Sequence, residues 1–440
     1  MKTLNFMPHQ EDALNRTEQF NRCAYYLDMG LGKTFVGAEK MYLLNNAVNL
    51  VICQKSKIDD WVQHFKDYYH DYKVMNLTKK NDAADFTDMA DDKTDVQIVG
   101  VINYELAFRR KWLLDLKNFT LMLDESSLIT NETAKRSNFI LKMQPESVIL
   151  LSGTPTAGKY ERLWSQVHLL GWKISKKAFW SSYVETEWIE NGDGFKQEVV
   201  TGYKHTEHLK KKLGEYGCIF MKTEEVLELP EQIEQKLFVK SSAEYKKFIR
   251  NSYLMTHKLS ASVSGWKTGI ETELVGDNSL TKMLYARQLC GQYSIAKLEA
   301  FNDLISSTNE RLIVFYNFNE ELQILQQTAL KHTANISVLN GHRKDLQAYE
   351  LYDDSITFIQ YQAGSMGGNY QKANKIIYFT LPLGKGSCDM WEQSKKRIHR
   401  IGQTKPCFYY YLLVKGSIEE RNLAALKEGR DLTDELFKNN

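Results

Sequence analysis

Residues 24–44 read AYYLDMGLGKTFVGAEKMYLL, and this stretch decides the class of the fold. The apolar run Ala24–Leu27 suits a short buried strand, Asp28–Thr34 is a glycine-rich turn, and a helix-like segment follows at once. A glycine turn at a helix N-terminus aims several backbone N–H groups at one place. There, together with the helix dipole, they favour phosphate oxygens. Gly30 and Gly32 supply the turn, Lys33 is spaced to reach β- and γ-phosphates, and Thr34 to offer a hydroxyl to Mg²⁺. The general phosphate-loop pattern has a further glycine at position 27, where this chain carries Leu27. Taken alone, the loop implies binding of a nucleoside triphosphate and no particular reaction.

Outward from this unit, apolar β-rich runs bounded by turn signals recur at Asn49–Cys53, Val96–Ile102, Phe119–Asp124 and Val148–Ser152. Helix-like segments lie between them, which predicts an α/β fold with a mostly parallel, doubly wound sheet. The same signal returns at Arg311–Tyr316, Asn335–Leu339, Ser355–Gln360, Lys375–Leu381 and Phe408–Val414. Two such lobes therefore bracket a middle, about 172–300, that is richer in helix-like and charged stretches. Within it, EWIENGDGFKQEVV sets strand-like flanks around Asn191-Gly192-Asp193-Gly194, which predicts a hairpin. The expected division is a first lobe over 1–171, a protrusion with the end of that lobe over 172–235, a hinge and lead-in over 236–300, and a second lobe over 301–440.

The length of 440 residues allows this division, since each part is long enough to bury a core. Lys and Arg number 57 against 55 Asp and Glu, so the net charge of +2 announces no polyanionic partner and any such contact must be local. No apolar run approaches the roughly 18 residues of a membrane span, and MKTLNFMPHQED meets an acidic pair before a signal-peptide core could form. A chain without membrane contact is expected. The six cysteines have no zinc-like spacing and read as free, buried thiols. His205 and His208 read as surface residues. Six aspartates against one lysine between Asp82 and Asp95 predict a solvated acidic loop.

Three further clusters carry chemistry. Leu121-Met122-Leu123 runs straight into Asp124-Glu125-Ser126-Ser127, so two carboxylates emerge at the carboxyl end of a buried strand, the edge where open α/β sheets bind ligands. Asp124 is placed to hold Mg²⁺, and Glu125 to orient and deprotonate an attacking water. Ser152-Gly153-Thr154-Pro155-Thr156 follows another buried strand. There Ser152 and Thr154 can switch hydrogen-bond partners cheaply, as a relay requires. Gln393, Arg397 and Arg400 stand at i, i+4 and i+7, which on a helix would share one face and could read a γ-phosphate.

Taken in order, these elements resemble the ATPase motor of the Swi/Snf-like branch of superfamily 2 helicases. FMPHQEDAL resembles the leading segment, DMGLGKT motif I, VICQKSKIDDW motif Ia, VINYELA motif Ib, LDESS motif II and LLSGTPT motif III. LIVFYNFNEEL is similar to motif IV, AGSMGGNYQKANKIIYF to motif V and QSKKRIHRIGQ to motif VI. Motif II departs from the family's DEAH or DEGH, and YFTLPLGKGSCDMW replaces its usual string before motif VI.

The resemblance implies two RecA-like doubly wound parallel-sheet lobes with a helical and hairpin protrusion inserted between them. It implies ATP and Mg²⁺ as the cofactors, with Gln10 reading the adenine and Lys33, Thr34 and Asp124 on the phosphates and metal. Glu125 is then the catalytic carboxylate, Arg397 and Arg400 the arginine fingers, and Gln393 a neighbour of the γ-phosphate. Gly364, Gly367 and Asn369 match the motif that contacts both nucleic acid and nucleotide. Lys55, Tyr104, Lys204, Lys210 and Lys211 are candidate strand contacts.

The expected activity is ATP-dependent translocation along double-stranded DNA, with nucleic-acid-stimulated hydrolysis between two lobes. A strand-separating DNA or RNA helicase and an ATP-gated DNA clamp remain alternatives. A bare motor of this branch points to the cytoplasm of a bacterial or phage-infected cell. Proteins of replication, recombination or defence are the partners such a source implies.

Overall fold

The computed structural model describes residues 4–91, 96–156, 159–190, 196–226, 228–262, 265–361, 368–384 and 386–429. They fall into two compact units, Met1–Leu227 and Glu228–Asn440.

In the first unit the chain lays down β1 (Arg22–Leu27), β2 (Val48–Cys53), β3 (Lys73–Asn76), β4 (Ile98–Asn103), β5 (Phe119–Asp124) and β6 (Ser147–Leu151). A hairpin of β7 (Val184–Glu190) and β8 (Lys196–Tyr203) follows, and β9 (Cys218–Met221) returns to the sheet. The sheet order is β3-β4-β2-β5-β6-β1-β9, every pair parallel. Helices cover both faces, which is why the strands read as continuous apolar runs instead of alternating ones. Tyr26, Leu50, Ile52, Leu121 and Leu123 pack on one side, and Tyr25, Leu27, Val51 and Met122 on the other.

The second unit repeats the plan with β10 (Gln232–Val239), β13 (Leu312–Tyr316), β14 (Ile336–Leu339), β15 (Lys344–Asp345), β16 (Ile356–Gln360), β17 (Lys375–Tyr378) and β18 (Cys407–Val414). The order is β10-β18-β17-β13-β16-β14-β15, with only the short β15 antiparallel. All ten runs marked in the sequence are sheet strands. The edge strands β3, β9, β10 and β15 are additional, and β10 lies in residues assigned above to the protrusion and hinge.

A second hairpin, β11 (Tyr253–Ser262) with β12 (Gly265–Val275), stands where the sequence suggested helix. The predicted hairpin of the first unit has both its strands in register, Glu190 opposite Lys196, while its turn, 191–195, lies outside the described residues. The acidic stretch expected as a loop is a helix over Lys80–Asp91, because Ala83 and Phe86 supply an inward face that its aspartates flank. Residues 92–95 of that stretch lie outside the described part. No described helix is long and apolar enough to cross a membrane.

Candidate nucleotide-binding site

β5, β6 and β1 are neighbours in the first sheet, so the loops that follow them open side by side at its carboxyl edge. The loop after β1 contains Gly30 at φ 95° and Gly32 at φ 79°, both in the left-handed region, and the helix Lys33–Leu44 starts directly behind. Phe35 N and Val36 N already bond the cap carbonyl, Gly32 O, at 3.0 and 3.2 Å, while the positive end of the helix dipole at this terminus favours an anion. Thr34 is half-buried in that turn. Lys33 folds back on its own loop, Nζ donating to Leu27 O at 2.8 Å and Asp28 O at 3.2 Å. Gln10, the expected adenine reader, is buried. Its Nε2 donates to Leu31 O at 3.1 Å and its Oε1 accepts from Met7 N at 3.0 Å, so the amide braces the phosphate loop. His9 Nε2 meets the same Leu31 carbonyl at 3.0 Å.

At the end of β5, Asp124 Oδ2 accepts from Trp61 Nε1 at 2.9 Å. Burial pushes the Asp124 carboxyl above the ordinary carboxylate range, against the opposing pull of the Trp61 N–H, Lys33 and Lys57. A carboxylate destabilised in this way gains from a divalent cation, and it and the Thr34 hydroxyl are oxygen donors of the type Mg²⁺ takes. Glu125 has left-handed backbone, φ 56° and ψ 58°, which turns the chain sharply after the strand. Tyr104 OH holds this turn by donating to Asp124 O at 2.9 Å and reaching Glu125 O at 3.4 Å.

The turn after β6 lies between the other two loops. Ser152 Oγ is buried and accepts from Thr154 N at 3.2 Å. A Cβ placed on Gly153 would lie 3.3 Å from Lys33 Nζ, so this turn passes directly over the phosphate-loop lysine. Two side chains absent from the sequence-derived site complete it. Trp61 could have been suspected, since a buried indole N–H requires an acceptor. Gln166, which bonds both the Ser126 side chain and the Pro155 carbonyl, sits in the helix Trp164–Leu169 with no local signal of its role.

In the second unit the expected arginine face is corrected. The helix Ser387–Lys395 ends before both arginines, leaving only Gln393 on it, half-buried. The segment beyond bends because its side chains bond distant backbone: Arg397 Nη1 to Gly368 O at 3.2 Å, and His399 Nε2 with Pro230 O at 2.8 Å. Gln403 Nε2 donates to Ala373 O at 2.8 Å and Gln371 O at 3.2 Å. Arg400 pairs with Asn369 Oδ1, and burial together with the neighbouring Arg397 guanidinium pushes its pKa down to about 10, still cationic at neutral pH.

The remaining expectations fall unevenly. Tyr104, named as a strand contact, is 1% exposed beneath the acidic pair and presents nothing to a solvent-borne ligand. Lys55 and Lys211 are exposed, Lys204 is half-buried, and Lys210 is exposed and pairs with Glu207 at 2.8 Å. Asn369 is exposed, while Gly364 and Gly367 lie outside the described residues. All six cysteines are free thiols, five of them buried. His205 and His208 lie at the surface, His208 Nδ1 meeting Tyr183 OH at 3.0 Å.

A model of the SNF2-related domain matches residues 4–295, the first unit and the opening of the second. The chain belongs to that family. It therefore carries a helicase-like ATPase domain, and each of its two units holds a seven-stranded, largely parallel sheet. This SNF2-related chain is 23% identical over 436 residues to the DNA annealing helicase and endonuclease ZRANB3 of Homo sapiens, covering 94% of its own length and 38% of the relative's. To the DNA repair and recombination protein RAD54-like of Drosophila yakuba it is 22% identical over 507 residues, covering 98% and 63%. With the ISWI chromatin-remodeling complex ATPase ISW1 of Saccharomyces cerevisiae the identity is 24% over 438 residues, covering 90% and 37%. The chain spans less than two thirds of the length of each of these relatives. Among solved structures it is similar to the Sulfolobus solfataricus SWI2/SNF2 ATPase core in complex with dsDNA, with a TM-score of 0.43, 19% identity, and coverage of 99% of this chain and 92% of that one.

Proposed function

We propose that the chain hydrolyses ATP in a nucleic-acid-dependent manner and uses the cycle to translocate along double-stranded DNA. The observation that carries this reading is the convergence of three loops, after β1, β5 and β6, at one sheet edge in a chain of the SNF2-related family. Lys33 neutralises the phosphates, and Thr34 and Asp124 would hold Mg²⁺, which when bound would supply further charge neutralisation. Glu125 orients the attacking water and takes its proton. Arg400, with Gln393, stabilises charge on the γ-phosphate as it separates, an effect worth roughly 10³ to 10⁵ in rate for arginine fingers generally. Arg397, 2% exposed and bonded to Gly368 O, holds the segment that carries Arg400. The DNA substrate is supported by relatives named for DNA annealing, repair and recombination.

The test is the ATPase rate with duplex DNA, single-stranded DNA and RNA. Duplex DNA should stimulate most, and stimulation by RNA alone would overturn the duplex reading. Lys33→Ala should lower turnover at least 100-fold while the melting temperature and salt-sensitive DNA binding stay near wild type. Strand separation is a second reading, favoured by the β7–β8 hairpin, whose Trp188 is 67% exposed and could stack on a base. Removing residues 187–200 should abolish strand displacement, and spare duplex-stimulated ATPase, if the hairpin is a separating element. An ATP-gated clamp predicts instead that Glu125→Gln, binding ATP without hydrolysis, stays functional in cells.

A further inference from the structure

Two of the loops assigned above to hydrolysis are joined by a side chain that neither of them carries. Gln166 is fully buried. Its Oε1 accepts from Ser126 Oγ at 2.8 Å and from Tyr26 OH at 3.0 Å, and its Nε2 donates to Pro155 O at 2.9 Å. Chemistry dictates the orientation of the amide. The Pro155 carbonyl only accepts, so the nitrogen must face it, and the two hydroxyls, each able to donate, take the oxygen. One planar group thus bonds the loop after β5, the loop after β6 and the strand β1 at once.

Ser126, also fully buried, directly follows Glu125. The Glu125 backbone occupies a region that non-glycine residues seldom enter and that persists only where the surroundings over-determine it. Tyr104 OH fixes the Asp124 and Glu125 carbonyls, and the Ser126–Gln166 bond fixes the following residue. The direction in which the Glu125 side chain leaves the backbone is therefore set by these two restraints. Pro155, on the far side of the amide, belongs to the turn that passes over Lys33.

We propose that Gln166 is a positioning residue that couples the Ser152–Thr156 turn to Glu125 through Ser126, so that a shift of the turn re-aims the carboxylate. This rests on reading Glu125 as the group that activates water. An amide is the suitable side chain because it donates at one end and accepts twice at the other. Leucine fills similar space but strands one carbonyl and two hydroxyls. A glutamate can serve both hydroxyls, yet it can donate to Pro155 O only when protonated.

The experiment is steady-state ATPase, with and without duplex DNA, on the wild type, Gln166→Leu, Gln166→Glu, Ser126→Ala and the Ser126→Ala/Gln166→Leu pair. A misplaced catalytic group typically costs about 10- to 100-fold. Gln166→Leu should accordingly lower stimulated kcat by at least about 10-fold, with KM for ATP within about twofold. The double variant should be no worse than the poorer single one, since both break the same link. Gln166→Glu should regain activity relative to wild type as the pH is lowered. Unchanged kcat in Gln166→Leu, or losses that multiply in the double variant, would overturn the coupling. Should Gln166→Leu fail to fold, Ser126→Ala and the pH profile of Gln166→Glu decide in the same way. A fully active Glu125→Gln would instead sink the reading of the acidic pair. An inactive Glu125→Gln beside an unaffected Gln166→Leu would sink this inference alone.

Discussion

Gly32 shows how much one position can carry. Its φ of 79° excludes most side chains, and a Cβ there would collide with Gln10 Nε2, the amide that braces the loop. Gly32→Ala should therefore cost about 1–2 kcal/mol from the left-handed backbone alone, with a further loss of nucleotide affinity as Gln10 is displaced. Thermal melting and binding of a fluorescent ATP analogue would check both parts. Trp61 is the complementary case. Its ring stacks on Phe65 with centroids 5.7 Å apart while its N–H serves Asp124. Trp61→Phe keeps the stack and removes the donor, leaving a buried carboxylate short of a partner at a cost of about 1–3 kcal/mol. The Asp124 carboxyl should rise further, and denaturant unfolding monitored at several pH values would detect it. Lys33 and Thr34 were legible because their chemistry follows from local spacing. The role of Trp61 was not, because its acceptor is 63 residues away in the chain.

At the scale of an element, the segment after Ser387 departs most from its sequence pattern. Periodicity carries a helix through Arg400, yet helical bonding stops at Lys395 because Arg397, His399 and Gln403 find backbone acceptors in 368–373 and at Pro230. Gln403→Ala should release this turn, costing about 1–3 kcal/mol for carbonyls left buried. It should also lower kcat although Gln403 is assigned no contact with the nucleotide, and paired melting and ATPase measurements would show whether both occur. The helix Ile58–Tyr68 supplies a pH-dependent case. His64 lies among Phe35, Trp61 and Tyr68, its Nε2 has no hydrogen-bond partner among the described residues, and burial lowers its pKa from 6.5 to about 4. The unfolded chain then takes up a proton that the folded chain refuses, so stability is full above about 6.5 and falls as the pH drops towards 4. His64→Phe should flatten that part of the stability–pH curve, as urea titrations across the window would reveal.

For the molecule as a whole, each sheet is closed by an element far along the chain, β9 in the first unit and β10 against β18 in the second. The second unit also contains a buried ion pair, Lys297 with Glu419, whose other oxygen accepts from Val414 N at 3.0 Å. Removing the cation leaves a buried charge, so Lys297→Met should destabilise by about 3–5 kcal/mol. Adding Glu419→Gln should restore part of that loss, because the amide oxygen still accepts from Val414. Chemical denaturation of the three proteins would test the pattern. Sequence alone determined the two α/β lobes, their ten inner strands, the phosphate loop and the acidic pair, because a fully buried parallel strand and a glycine turn declare themselves within a few residues. Tertiary structure alone decided that Gln10 braces the loop, that Trp61 and Tyr104 hold the acidic pair, and that Gln166 ties it to the neighbouring turn. Each of these depends on which donor meets which acceptor across tens of residues, and local pattern does not encode that choice.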